Sequence, residues 1–400
     1  MKSFALSYKL RKKTEKSVPE SKEQDSRGEE QNLTNIVAEA HVNIWKVPVG
    51  TFWSTTKFFF DFGLKFSPEI EYICLFVPFD FKENGKDFDL VRKLKDSNQL
   101  LCTVFNMDLK SDSSQKAQFS KVIDEEKDAE AFCLYQLGAS KFEIEQVNIG
   151  QEGKTKIIGS LLRIHIQEKP DSSICKPETS LYIRFRIEPK RVKDVVSSEH
   201  ISNDLLQDAF SEIDMIDFRL NEQRDIHTDV IDKIKGNEFK FFSFDKVHLF
   251  FMAETKENIQ NGSSLKIDSR FLERDLWQNY IPDGAKDTTY IAHHWKKRKE
   301  KIIRGETGEE DKVIYTSFKD YRIFFTSVYP KIKWIRLIVY LSVVILLSWI
   351  GSMLSFNISR IIGFSIPQYI KAIIVVILLI LVISYSIFTT YRIIIRLFRK

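Results

Sequence analysis

Apolar and polar residues alternate at period two over much of the chain. Phe58, Phe60, Phe62, Leu64 and Phe66 alternate with Phe59, Asp61, Gly63 and Lys65, and Leu181, Ile183, Phe185 and Ile187 alternate with Tyr182, Arg184, Arg186 and Glu188. Such alternation predicts half-buried antiparallel strands, one face in the core and the other wet. Looser versions at Ile73–Phe79, Leu100–Phe105, Ile157–Gln167, Phe239–Met252 and Arg322–Val328 predict further strands. Turn signals separate them at Glu83-Asn84-Gly85, Gly150–Gly153 and Gln260-Asn261-Gly262-Ser263. Helical spacing is rarer. It predicts helices over about 202–213, over 269–280 with Pro282 ending it, and a short one over 87–95. No βαβ rhythm and no Gly-rich loop after a strand is present, which disfavours a Rossmann or P-loop core. The expected fold class is α+β, with antiparallel, sandwich-like sheets. The polar stretch Glu188–Asn203 is the best boundary between a β-rich module, 36–188, and an α+β module, 200–330. One larger β-rich domain is the alternative.

The pattern changes after residue 330. Leu337–Phe356 is a run of twenty residues without a charge, and Ala372–Tyr391 is a second. A hydrocarbon core of ~30 Å needs about twenty helical residues, so residues 331–400 read as a transmembrane hairpin with spans 337–356 and 372–391. Arg322, Lys331, Lys333 and Arg336 precede the first span, and Arg392, Arg396, Arg399 and Lys400 follow the second. The connecting loop holds only Arg360 and Lys371. That asymmetry puts both termini on the cytoplasmic side. Ser348, Gly351, Ser352 and Ser355 form overlapping small-xxx-small pairs that pack the hairpin on itself or join copies into a homo-oligomer. Neither span carries an ionisable residue other than tyrosine, so transport by the hairpin alone is disfavoured.

Charge and composition sharpen this division. The 400 residues are 43% hydrophobic and 29% charged, with a net charge of +5. Residues 321–400 hold ten Lys/Arg and no acidic residue, which leaves −5 on the first 320. An acidic main region argues against nucleic acid as a partner. The N-terminus lacks the uninterrupted apolar core of a signal peptide. Residues 1–33 read as a disordered tail whose early Lys/Arg cluster is solvated or touches anionic lipid. The four cysteines, Cys74, Cys102, Cys133 and Cys175, include no CxxC pair and read as buried thiols of a reducing compartment.

Candidate chemistry is sparse. The seven histidines (His41, His165, His200, His227, His248, His293 and His294) include no HxxxH or HExxH, so no metal site and no cofactor are expected. His165 and His248 lie in alternating strands and read as solvent-facing or satisfied. Asp217, followed by Glu238-Phe239-Lys240 at the head of a strand, resembles the PD-(D/E)xK type of metal-dependent nuclease at three positions only, without its Pro-Asp element. That resemblance makes Asp217, Glu238 and Lys240 weak catalytic candidates, with a solvated charged turn as the plainer reading. The basic run Trp295, Lys296, Lys297, Arg298, Lys299 and Lys301, within 293–304, forms the first arm of an acid-tipped hairpin. It contacts anionic lipid at the membrane surface, or is a solvated charge run, or serves nucleic acid or import. The sequence therefore reads as a membrane-anchored cytosolic sensing or interaction protein without catalysis of its own, with lipid and a protein or small-molecule signal as partners. A membrane-disrupting effector, built like bacterial immune effectors with a sensor and two spans, is the alternative, and a tethered nuclease is the third reading.

Overall fold

The structure is a computed structural model that describes residues 3–12, 36–49, 55–82, 88–112, 118–138, 142–152, 155–167, 169–191, 196–199, 211–281, 288–304, 312–331, 334–361 and 377. Its contacts divide the chain into two units, Met1–Ser197 with Asp214–Ser327, and Ser198–Ile213 with Val328–Lys400.

The first unit is mostly β-sheet. Its largest sheet has ten strands: β2 (Val37–Val49), β3 (Thr55–Phe66), β5 (Phe81–Lys82), β6 (Leu109–Asp112), β7 (Phe119–Asp124), β8 (Ala129–Tyr135), β11 (Leu181–Pro189), β15 (Ser243–Glu254), β17 (Ile267–Phe271) and β18 (Tyr290–Arg298). Nine of them run in the order β17-β18-β15-β2-β3-β11-β8-β7-β6, and β5 pairs with β11. The pairs β15·β2 and β11·β8 are parallel, so the sheet is mixed. Strands from both sides of Glu188–Asn203 thus share one sheet. A second sheet holds β1 (Ala5–Leu10), β4 (Ile70–Val77), β9 (Phe142–Glu152), β10 (Thr155–His165) and β14 (Lys240–Phe241), in the order β14-β1-β4-β10-β9. Among the described residues, two small assemblies hold further strands. In one, β13 (Ser211–Leu220), β21 (Tyr321–Pro330) and β16 (Asn258–Asn261) are neighbours. The other is the hairpin of β19 (Glu300–Arg304) and β20 (Lys312–Thr316). A short strand, β12, covers Ser197–Glu199.

The alternation read in the sequence explains the core. Phe58, Phe60, Phe62, Ile183, Phe185 and Leu249 from the large sheet join Leu6, Ile73, Leu75 and Leu162 from the second sheet in one buried apolar cluster. The opposite face of the large sheet is also covered. Helices α1 (Val91–Lys95), α2 (Asn98–Phe105) and α4 (Arg274–Trp277) bury Leu94, Leu101 and Trp277 in a cluster with Trp45, Phe59 and Tyr182. Helix α3 (Thr228–Gly236) places Val230 and Ile234, one turn apart, against Phe76 and Leu161 of the second sheet.

Several expectations are corrected. The face carrying Asp61, Arg184 and Arg186 is not wet, because all three are at most 1% exposed beneath the covering helices. Residues 100–105 are helix, not strand; Ser97 caps it by accepting from the Leu100 N–H at 3.2 Å. The helix predicted over 269–280 is a strand end and a single turn. Of that over 202–213, residues 201–210 lie outside the described residues and 211–213 belong to β13. Within the predicted tail, residues 5–10 form β1, inserted between β4 and β14 with Leu6 and Tyr8 buried. Residues 13–35 lie outside the described residues. Finally, Cys133 and Cys175 are joined as a disulfide, and the free cysteines are Cys74 and Cys102.

In the second unit, Glu212 accepts from the Tyr329 hydroxyl at 2.8 Å and from the Lys331 ammonium at 2.5 Å. Helix α5 (Trp334–Ile361) covers the first predicted span. Ile338, Leu341, Val343, Val344, Ile345, Leu346, Leu347, Ile350 and Met353 on it are exposed. Among the described residues no helix is long and apolar enough to cross a membrane. The side chains of 334–336, 339 and 354–361 fall outside the described set, as does the second predicted span except residue 377.

Candidate functional site

The covered face of the large sheet carries an unusual density of polar side chains. Strand register builds it in rows. Arg184, Gly63, His41 and His248 are successive neighbours on β11, β3, β2 and β15; Tyr182, Lys65, Glu39 and Lys246 form the adjoining row, and Arg186, Asp61, Asn43 and Phe250 the next. Alternate residues of each strand point to one face, so these three rows share a surface.

At one end is a buried ion network. The Arg186 guanidinium donates to both oxygens of Asp61, at 2.6 and 2.9 Å, and both side chains are fully buried. Trp45 Nε1–H and the Tyr280 hydroxyl also donate to Asp61 Oδ2, at 2.8 and 3.1 Å. Arg184 donates to the Tyr280 and Tyr182 hydroxyls at 2.5 and 2.9 Å. Burial opposes its charge, but Tyr182, Tyr280 and Asp61 outweigh burial and keep the guanidinium protonated. Burial pushes the Tyr280 hydroxyl well above its ordinary value. Two guanidinium groups around one carboxylate leave this region net positive.

At the other end lie Glu39, His41, His248 and His294. His41 Nε2 is 3.0 Å and His248 Nε2 3.7 Å from Glu39 Oε1, and Lys246 Nζ donates to the same oxygen at 2.5 Å. His41 Nδ1 lies 3.2 Å from the Tyr182 hydroxyl, and His248 Nδ1 lies 2.8 Å from His294 Nε2. Burial, with His41, His294 and Lys246 nearby, pushes His248 down to about 2. Burial, with Lys296 nearby, pushes His294 down to about 4. Both rings are neutral at physiological pH. Burial alone raises the Glu39 carboxyl, but His41 and Lys246 outweigh it and hold Glu39 well below the usual carboxylate range. Glu39, His41 and His248 are the one grouping of three such donors, among the described residues, close enough to share an ion. A narrow pocket with room for about one water, partly open to solvent, is lined by His41, Asn43, Arg184, Phe250, Arg270 and Trp277.

Gly63 makes this arrangement possible. A Cβ there would lie 2.1 Å from the Tyr182 hydroxyl oxygen and 3.1 Å from Arg184 Nη1. The missing side chain is the gap through which Tyr182 reaches His41. Gly63→Ala is therefore expected to cost about 1–3 kcal/mol, the usual penalty for overpacking. A thermal melt of the full chain in mild detergent measures it, and an unchanged midpoint would contradict this geometry.

The candidates read from the sequence lie elsewhere and do not converge. Asp217 pairs with Arg219 and, at 3.6 Å, with Arg322; Glu238 pairs with Lys9 at 2.8 Å; Lys240 is exposed on β14. Trp295 is buried, stacked on Phe325 at 4.7 Å and donating to Asn261 Oδ1 at 3.2 Å, so it is a core residue and not a lipid-interface anchor. On the same basic run, Lys297 sits 4.5 Å from the centre of the Phe318 ring, Lys296 is half-buried, Arg298 and Lys299 are exposed, and the Lys301 side chain lies outside the described residues. Ser348, Gly351 and Ser352 are exposed on α5, a Cβ at Gly351 meets nothing within 4 Å, and the Ser355 side chain is outside the described set. The histidine grouping has no compact sequence signature, because its members come from β2 and β15, about 200 residues apart. The local signal was Glu39-x-His41, two residues on one strand face.

No protein-family model matches the chain, and no curated protein matches it.

Proposed function

We propose that the chain is a membrane-anchored sensing or interaction protein. Its β-rich unit presents the polar pocket, and residues 331–400 form a two-span hairpin that holds that unit at the bilayer with both termini cytoplasmic. One observation carries the anchoring: Val343–Leu347 are five consecutive exposed apolar residues on a helix. At 3.6 residues per turn they pass over its whole circumference. A helix that is apolar all round needs lipid or protein cover on every side. The uncharged run Leu337–Phe356 and the cations flanking it support lipid. The disulfide bears on the side chosen. Such bonds are rare in reducing compartments, but Cys133 and Cys175 are 0% and 1% exposed, which shields the bond from soluble reductant.

The full chain is expected to resist extraction from membranes by alkaline carbonate. Replacing Leu341, Val344 and Leu347 together by arginine places charges at a cost of about 2.5–3.5 kcal/mol each at mid-bilayer, and is expected to release the protein. Wild-type protein recovered in the carbonate supernatant would refute the anchor. Labelling of residues 357–371 from the cytoplasmic side alone would refute the hairpin.

A further inference from the structure

We propose that Glu39, His41 and His248 bind one divalent transition-metal ion of the zinc, cobalt or iron(II) class, with one coordination position open to the pocket. Two imidazoles and a carboxylate are a donor set suited to such borderline ions, and three protein ligands leave room for an exchangeable fourth. Ligands bound at ~2.0–2.2 Å around one ion lie roughly 3–3.6 Å from one another. The donors here are 3.0 and 3.7 Å apart across Glu39 Oε1, with all three within 4.8 Å. The backbone fixes this spacing. Glu39 and His41 share a face of β2, and the parallel register sets His248 directly beside His41.

A second observation concerns hydrogen bonding. His248 Nε2 is buried and has no hydrogen-bond partner, a costly condition for a polar atom that lacks a ligand. In the tautomer that carries its proton on Nδ1, that atom donates to His294 Nε2 at 2.8 Å and the Nε2 lone pair faces Glu39. His41 is oriented by the same two-point contact, its Nε2 donating to the Glu39 carboxylate and its Nδ1 accepting from the Tyr182 hydroxyl, so an entering ion must also displace that Nε2 proton. Ligand histidines anchored through their second nitrogen are the usual support of a metal centre.

Lys246 works against the ion, because its ammonium occupies the same Glu39 oxygen. An entering cation must displace it, so the lysine lowers affinity and makes the site reversible. With the ion bound, charge on this face rises further. Arg184 and Arg270 line the adjoining pocket, so the open position favours an anionic oxygen donor or a water that has lost a proton. The site does not depend on how the chain meets the membrane.

The test uses the full chain without a polyhistidine tag, stripped by chelator in mild detergent and titrated with cobalt(II), with zinc(II) as competitor. The expected result is one equivalent of cobalt with visible bands of low coordination number. His248→Ala and Glu39→Gln are expected to weaken binding by more than the roughly 10–100-fold that loss of a supporting hydrogen-bond partner costs, and His294→Ala to fall within that range. Lys246→Met is expected to bind the ion more tightly than wild type. A variant that misfolds cannot gain affinity, so this arm decides the matter if the ligand variants do not fold. Wild-type binding no tighter than that of folded Glu39→Gln and His248→Ala overturns the assignment. So does a Lys246→Met variant whose affinity is unchanged or lower.

Discussion

Asp61→Ala is expected to destabilise the β-rich unit by about 3–5 kcal/mol, the cost of removing one partner from a buried ion pair. The substitution strips the Arg186 guanidinium of two charge-assisted bonds and leaves Trp45 Nε1–H and the Tyr280 hydroxyl without their acceptor. Water cannot replace the carboxylate at a site where both side chains are fully buried. The loss should appear as a lower urea midpoint of the full chain in detergent, with the slope of the transition unchanged. Asp61→Asn combined with Arg186→Met removes both charges together and is expected to cost less than Asp61→Ala alone, since an orphaned buried charge is worse than a matched apolar replacement. A cost below about 1 kcal/mol for Asp61→Ala, the range of exposed ion pairs, would mean that this face is solvated after all.

The second large effect is expected at the disulfide. Cys133 and Cys175 are separated by 42 residues, and closing a loop of that length removes unfolded-state entropy worth on the order of 4 kcal/mol. The bond fastens the segment leading into β11 onto β8, beside the parallel contact of Leu181 with Cys133. Cys175→Ser should therefore lower the thermal midpoint strongly. Adding reductant to wild type should have the same effect only once the unit opens. Equal stability of Cys175→Ser and wild type would exclude a stabilising covalent link.

The strands were the most legible part of this chain because period two is a local signal. What the alternation could not reveal was the environment of the polar face. Asp61, Arg184 and Arg186 look like solvent-facing positions in the sequence, and only their mutual pairing beneath α2 and α4 explains how they are buried. The run Leu100–Phe105 illustrates a different failure. A short apolar stretch suits helix and strand equally, and the deciding residue was Ser97, a cap that lies before it. β1 was hidden for an electrostatic reason, since Lys9 and the cations after it resemble a solvated tail while Leu6 and Tyr8 point inward. The candidate site was least legible. Glu39 and His248 meet only through a register between strands separated by most of the β-rich region.

That same register constrains how the molecule is made. β2 finds its parallel neighbour in β15, paired from Val37 with Ser243, so about 200 residues must leave the ribosome before the middle of the largest sheet can close. Contacts this distant in sequence slow folding. Until they form, β2 presents a raw apolar edge open to association with other chains. Synthesis is thus the period of greatest vulnerability.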